Sequence, residues 1–395
     1  MIVLLAAAQA IALAIVLVRL LPGRRRRPAV APRPNAALAD GDVTVIVAAL
    51  DEAARIQPCL DGLSAQGSIV REILVVDSGS TDGTPELVRA AAARDPRVVL
   101  LRDPPLPHGW IGKVWALQHG LARARGEWVL GMDADTVPHA GCVGGAVAAA
   151  RALDYDVVSF APRFAIDSAA ERWLQPALLV TLVYRVGAAG TDASPDRVMA
   201  NGQCFLARRE VLESIGGYAV ARASFADDVT LARALARAGR RVGFLDGSRL
   251  YDVRAYTSAG ELWREWGRSL DLKDATSRAR QWLDVALLLV AQGTPVPVLL
   301  VLAMRELLGA PFPRDGALLL ATSAALLAVR ILLQLALAAS YVTRGPTFWL
   351  APTADPLAAI RILLSTLRRP TRWRSRDYGS NGSRTGDDPV IFRRR

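Results

Sequence analysis

The first 22 residues, MIVLLAAAQAIALAIVLVRLLP, are an apolar run in which Arg19 is the one charged side chain. As a helix rising about 1.5 Å per residue, such a run crosses a hydrocarbon core of about 30 Å. A helix that is apolar all round has no water-facing side, so it belongs in a membrane or deep in a core. Two more candidates lie near the other end: residues 285–304, interrupted by GTPVP, and residues 316–342, which hold Arg330 and Gln334. These runs concentrate the excess that makes the 395-residue chain 52% hydrophobic with a mean hydropathy of +0.25. Residues 346–367 carry Pro346, Pro352, Asp355, Pro356 and Arg361, which suit an interfacial or re-entrant segment better than a span.

Charge sets the expected orientation. The formal net charge of +11 comes from arginine, since Lys113 and Lys273 are the only lysines. Arg24–Arg27 follow the first apolar run, and nine arginines lie between Arg368 and Arg395. Arginines that flank apolar spans mark the cytosolic side and favour anionic lipid, so this surplus is read as topology and not as a nucleic-acid surface. No basic segment precedes the first run, which makes it a signal anchor rather than a cleaved signal peptide. Three spans then keep the middle of the chain and the basic tail together in the cytosol. The expected organisation is an anchor at 1–22 and a basic, proline-containing linker at 23–42. A cytosolic domain at 43–280 and two membrane helices within 281–345 follow. An interfacial segment at 346–367 and a basic tail at 368–395 complete a multi-pass protein of the cell (inner) membrane. Cys59, Cys142 and Cys204 are far apart and odd in number, which suggests neither a disulfide framework nor a zinc site.

Residues 43–160 repeat a short β-branched run, a polar loop and a helix-like stretch. Strands are predicted at 43–49, 72–77, 97–101, 127–133 and 155–160, with helices at 52–65, 84–94, 113–125 and 140–152. Continuous apolar strands alternating with helices imply an α/β fold with a mainly parallel sheet covered on both faces. Ligands of such sheets bind outside the carboxyl ends of the strands. Asp51, Glu52, Asp77, Asp133 and Asp135 all follow strands at that edge. Neither a G-x-G-x-x-G after the first strand nor a P-loop is present, so a dinucleotide or P-loop phosphate site lacks its main evidence. An acid-lined edge accepts a diphosphate when a divalent cation stands between them. The chain holds three D-x-D pairs: Asp40/Asp42 in the linker, Asp154/Asp156 before a strand, and Asp133/Asp135 just after a buried-type strand. The last is the candidate site for Mg²⁺ or Mn²⁺, which favour carboxylate oxygens together with substrate phosphate. Asp227 and Asp228 open a helical pattern, where acids serve equally as dipole-complementing caps or as a catalytic pair.

In order, VTVIVAALDE, ILVVDSGSTDGT, GKVWALQHG, GMDAD, GGY and DDVTLARAL resemble the family-2 glycosyltransferases of the GT-A fold, from about Val43 to Asp274. The anchor, domain and apolar carboxy-terminal end further resemble the membrane-bound members that glycosylate lipids. NGQCFLARREVLESIGGY and WREWGRSLDLKDATS are most similar to carotenoid 2′-O-glycosyltransferases, and next to hopanoid-associated ones. The resemblance implies that Asp51, Glu52 and Asp77 hold the nucleoside and that Lys113 offsets diphosphate charge. It implies that Asp133 faces the sugar and ribose, and that Asp135 ligates the metal. Asp228 becomes the base that takes the acceptor proton in an inverting transfer, with Asp227, Gly217 and Tyr218 in or below the acceptor site. The partners it implies are a nucleotide sugar, UDP- or another NDP-hexose, and a lipid acceptor in the membrane.

Two departures bear on function. AALDE stands at 48–52 where the family usually has Pro and then Asn-Glu, which touches only the nucleoside contacts. ELWREW, at 261–266, replaces the Q-x-x-R-W of processive members, which favours single-sugar transfer over a polysaccharide synthase. A catalytically silent sugar-nucleotide-binding scaffold is the alternative outside enzymes, and it has no need for the full acidic set. Trp173, Trp263, Trp266 and Trp282 lie near apolar faces and suit either a membrane interface or the core.

Overall fold

The structure, a computed structural model, describes residues 1–34, 42–254, 256, 258–270 and 272–367, with two short strands at 372–373 and 376–377. Most of the predicted basic tail, Asp40 and the end of the linker therefore lie outside the described residues. Ten strands build the α/β part: β1 (Val43–Ala49), β2 (Val70–Asp77), β3 (Val98–Arg102), β4 (Trp128–Asp133), β5 (Thr136–Pro138), β6 (Val157–Ala161), β7 (Arg163–Phe164), β8 (Cys204–Arg208), β9 (Val242–Asp246) and β10 (Tyr251–Val253). Seven form one sheet in the order β3-β2-β1-β4-β8-β6-β9. All run parallel except β8, which is antiparallel to β4 and β6 on either side. The remaining three form a small sheet, β5-β10-β7. Apolar side chains bury both faces of the large sheet, as the continuous β-branched runs require.

Register places the acids. Ala49 pairs with Asp77 across β1 and β2, and Ala48 pairs with Asp133 across β1 and β4. Parallel strands that end level deliver their loops to one edge, so Asp51, Asp77, Asp133 and Asp135 gather there. The helices Ile56–Ser64, Thr84–Ala92, Gly112–Leu121 and Cys142–Ala152 return the chain between strands.

The linker is held in place over its described part. Residues 26–34 run as a strap along the domain: the Arg27 and Val30 amides donate to Gly190 O and Asp246 O, at 2.9 and 2.8 Å. The Arg33 amide donates to Gly141 O at 2.9 Å. A Cβ on Gly141 would sit 2.4 Å from Pro34 N, and one on Gly145 would sit 2.5 Å from Ala31 O. Those two glycines admit the strap's backbone.

Three helical stretches, Ile2–Arg25, Arg278–Leu307 and Gly316–Ser340, are long and apolar enough to cross a membrane. Their core is shared with the α/β part: Val16, Leu288, Leu326 and Ala358 cluster with Leu174, Leu178 and Tyr184 of the helix Ala169–Val186 and with Leu262. Helices at 169–186 and 259–269 thus belong to the helical layer although the sequence assigns them to the cytosolic domain. Residues 346–367 form the helices Pro346–Trp349 and Asp355–Leu367 with a 3-10 turn, Ala351–Ala354, between them, and bury Ala351, Ala354, Ala358 and Ile362. Polar groups inside this layer find one another. Gln9 donates to Thr294 Oγ1 (2.8 Å) and accepts from Thr322 Oγ1 (2.7 Å) and Ser323 Oγ (2.9 Å), which ties the three long helices together. Arg330 Nε meets Asp355 Oδ2 at 2.8 Å, with both side chains buried. Trp173, Trp263 and Trp266 pack against this core, whereas Trp282 is about half exposed (48%).

Candidate active site

A cavity of about 1050 Å³ opens at the strand edge. Lys113, Asp133, Asp135, Asp227 and Asp228 line one part of it. Leucines of the first helix, with leucines and valines of Ala169–Val186 and of Gly316–Leu337, line another part, and Arg24, Arg26, Asp246, Glu261, Arg264 and Glu265 also reach the lining.

Asp133 ends β4, and Asp135 follows it in the turn to β5. Lys113 stands in the first turn of Gly112–Leu121 and brings its Nζ to 2.5 Å from Asp133 Oδ1. Burial alone lowers the ammonium's pKa, but Asp133, Asp227 and Asp228 outweigh it and raise the pKa above the ordinary lysine value. Lys113 therefore stays charged. Asp227 and Asp228 open the helix Asp227–Arg237, whose N-cap position is Ala226. Asp228 Oδ2 accepts the Gly202 amide at 2.7 Å, and Oδ1 accepts the Val229 amide at 2.7 Å. Burial raises the pKa of both acids against the opposing pull of Lys113, and brings Asp227 to about 7. The carboxyl group of Asp228 is thus fixed in orientation and more basic than an exposed aspartate, as a general base requires.

The nucleoside candidates form a neighbouring group outside the cavity lining. Asp51 adopts φ +53°, its amide donates to Ser80 Oγ (2.9 Å), and its Oδ1 accepts the Thr81 amide (3.0 Å). The Glu52 amide donates to Thr84 Oγ1 (2.9 Å), and Asp82 accepts the Ala53 amide (2.8 Å). Asp77 accepts the Gly79 and Ser80 amides, both at 3.2 Å. These bonds lace the loops after β1 and β2 into one rim beside the acid cluster. Asp77 in particular shapes its own turn.

Gly217 and Tyr218 do not line the cavity. The Tyr218 amide donates to Gln118 Oε1 at 2.7 Å, its side chain is buried, and a Cβ on Gly217 would sit 2.5 Å from that oxygen. They brace the Lys113 helix from beneath. The other D-x-D pairs are structural where described: Asp42 pairs with Arg151 at 2.8 Å, Asp154 pairs with Arg241, and Asp156 accepts the Arg241 amide. Sequence reasoning missed Gly202, whose amide holds Asp228 and whose Cβ would sit 3.0 Å from Lys113 Nζ. Its signal was the turn-forming N-G-Q before an apolar strand.

The donor set suits a hard divalent cation, which prefers carboxylate oxygens. Asp133 is committed to Lys113, which leaves Asp135 as the ligand candidate. Among the described residues no three His, Cys, Asp or Glu side chains converge on one point, so phosphate oxygens of a bound donor would complete the shell.

Residues 44–216 match the family model described as Glycosyl transferase family 2. Residues 44–216 are thus similar to the family-2 glycosyltransferases. The chain is 40% identical over 109 residues to a glucosyl-3-phosphoglycerate synthase of Mycolicibacterium paratuberculosis, with 27% of this chain and 32% of that protein covered. It is 37% identical over 100 residues to a dolichyl-phosphate beta-glucosyltransferase of Trichomonas vaginalis, covering 23% of this chain and 28% of that one. The chain thus spans about a third of the length of these curated relatives. Its fold is similar to that of the mannosyltransferase PcManGT from Pyrobaculum calidifontis, solved in complex with GDP-Man and Mn²⁺, with a TM-score of 0.56 and 24% identity. That likeness covers 92% of this chain and 99% of the other, so it takes in the helical layer as well as residues 44–216.

Proposed function

We propose that this protein is an inverting, metal-dependent glycosyltransferase that moves a single sugar from a nucleotide sugar to a hydroxyl group of a membrane lipid. A carotenoid hydroxyl is the acceptor we put first and a hopanoid hydroxyl the next. The observation that carries the lipid reading is the single cavity that joins the acid cluster to the walls of the apolar helices. A lipid seated among Leu182, Val183 and Leu333 would bring its hydroxyl to the acids while its chain stays out of water.

Asp228 takes the proton of the acceptor hydroxyl as that oxygen bonds to the anomeric carbon. The bond from that carbon to the donor's diphosphate oxygen breaks on the opposite face, and the nucleoside diphosphate leaves. Lys113 holds Asp133 in place and contributes positive charge beside the diphosphate. Asp51, Glu52 and Asp77, on the laced rim, hold the nucleoside. A divalent cation, Mg²⁺ or Mn²⁺, held by Asp135 would stabilise charge on the departing diphosphate. One relative supports a nucleotide-sugar donor: the mannosyltransferase of similar fold was solved with GDP-Man and Mn²⁺. The three apolar helices and the arginines beside them support a multi-pass membrane protein whose catalytic domain faces the cytosol.

Membranes carrying the protein, incubated with labelled nucleotide sugars and then extracted, test this directly. Label is expected in a discrete lipid product that Asp228→Asn abolishes. Label found only in a water-soluble or polymeric product would refute the lipid acceptor.

A further inference from the structure

The wall of the cavity contains a polar interruption that the transfer chemistry does not use. The helix Ala169–Val186 presents Glu171, Gln175, Leu179, Leu182, Val183 and Val186 to the cavity. These positions recur at three- and four-residue spacing, so they form one continuous stripe down the helix. The last four are apolar, as a lipid-binding wall should be. The first two are not.

Gln175 is 4% exposed, and its buried Oε1 has no hydrogen-bond partner among the described residues. A buried amide oxygen without a partner keeps its full desolvation cost, so such a group calls for an explanation. Glu171, one turn earlier, is also buried, and its Oε2 is held by Ser168 Oγ at 2.6 Å within a capping box. That bond anchors the start of the helix and fixes where the stripe begins. A well-anchored helix that sets a side chain with an unsatisfied amide oxygen in the lining of a cavity is poised to bond something inside it.

We infer that Gln175, beside Glu171, forms a polar notch in the acceptor cavity that hydrogen-bonds a second oxygen-bearing group of the lipid, apart from the hydroxyl that reacts at Asp228. The preferred acceptor is then a lipid diol or hydroxy-ketone, not a simple alcohol. Gln175 suits either partner, since its oxygen accepts from a hydroxyl and its amide nitrogen donates to a carbonyl. The selectivity comes from the unpaired state: a site built to hydrogen-bond a substrate oxygen discriminates against an analogue that lacks it. This inference rests on the lipid-acceptor reading above.

The test uses the full chain in detergent–lipid micelles with a competent nucleotide sugar and two probes, hexadecane-1,16-diol and hexadecan-1-ol. Wild type should prefer the diol in kcat/KM by about tenfold, the worth of one hydrogen bond of about 1.4 kcal/mol. Gln175→Met, close in volume but without polar atoms, should bring that preference down to about the twofold statistical advantage of two hydroxyls, mainly through KM for the diol. A preference that survives Gln175→Met overturns the inference while the lipid reading stands, as does a wild type with no preference. Transfer to neither alcohol, with label still passing to a water-soluble acceptor, fells both readings together. Thermal stability is the second measurement. Replacing an unsatisfied buried amide by an apolar group should leave Tm unchanged or raise it. A fall of several degrees would mean that Gln175 serves the fold, and would also overturn the inference.

Discussion

At the sheet edge, Asp133, Asp135, Asp227 and Asp228 share a cavity with Lys113, and carboxylates outnumber cations around its whole lining. Between the apolar helices, Arg330 meets Asp355 one to one, and Gln292 and Gln334 complete the pair's surroundings with bonds of 3.1 and 2.7 Å. Both regions bury charge, and they do so for different ends. The helical pair is neutral and shut away from the cavity, with Arg330 Nη2 left unpartnered among the described residues, and it joins the segment at 346–367 to the helix Gly316–Leu337. The sheet-edge cluster carries surplus negative charge in a cavity lining, an arrangement that suits a cation together with a substrate. A buried charge balanced by its neighbours serves packing, whereas an unbalanced one beside a cavity points to chemistry.

Mutations should separate the two regions. The largest effect is expected from Asp228→Asn, which should lower sugar transfer by about 10²–10⁴-fold while nucleotide-sugar affinity changes little. Steady-state rates and equilibrium binding on the same preparation check this, and unchanged transfer would remove Asp228 as the base. Arg330→Met should leave Asp355 buried without its partner and cost about 3–5 kcal/mol of stability. Arg330→Met with Asp355→Leu should recover most of that loss, and a double variant as unstable as the single one would contradict a neutral pair. Gln9→Leu should cost about 0.6–2 kcal/mol by removing the knot among the three long helices, as read from unfolding in detergent. No change would mean that apolar packing alone holds them.

The smallest effect is a pH slope. The pKa of Asp227 is raised from 3.8 to about 7, chiefly by burial, with Asp228 and Asp133 adding to the rise and Lys113 opposing it. Tyr218 lies against the same group. Between those two values the folded protein holds the proton more tightly than the unfolded chain, so Asp227's contribution to stability falls as pH rises through that window. Asp227→Asn should flatten this part of the profile of Tm against pH. An unaltered slope would show that another group titrates there.

Much of the α/β frame was legible because its signals are local. The five strands expected at 43–49, 72–77, 97–101, 127–133 and 155–160 lie within two residues of β1, β2, β3, β4 and β6. β8 escaped, since its pairing with β4 and β6 joins segments far apart in sequence and reverses the direction of a sheet expected to be mainly parallel. The three long apolar helices were visible for the same local reason: each carries its signal in its own composition. The linker read as a spacer because nothing in RPAVAPRPN announces a neighbour, yet Gly141 and Gly145 make room for it. Helix Ala169–Val186 read as part of the cytosolic domain, whereas its buried face joins the helical layer.

Of the candidate site residues, the sequence by itself determined which acids stand at strand ends, because a continuous apolar run and the polar residue that ends it are adjacent in the chain. It also determined that several long stretches cannot face water. The tertiary structure decided how those acids divide. Lys113, Asp133, Asp135, Asp227 and Asp228 enter one cavity, Asp51, Glu52 and Asp77 form the rim beside it, and Gly217 and Tyr218 stand beneath. It alone decided that the acid cluster and the apolar helices share that cavity, and that Gln175 stands in its wall. Strand register and helix packing are set by contacts between distant segments, so the same polar residue becomes a turn former, a brace or a reactive group according to what the fold places opposite it.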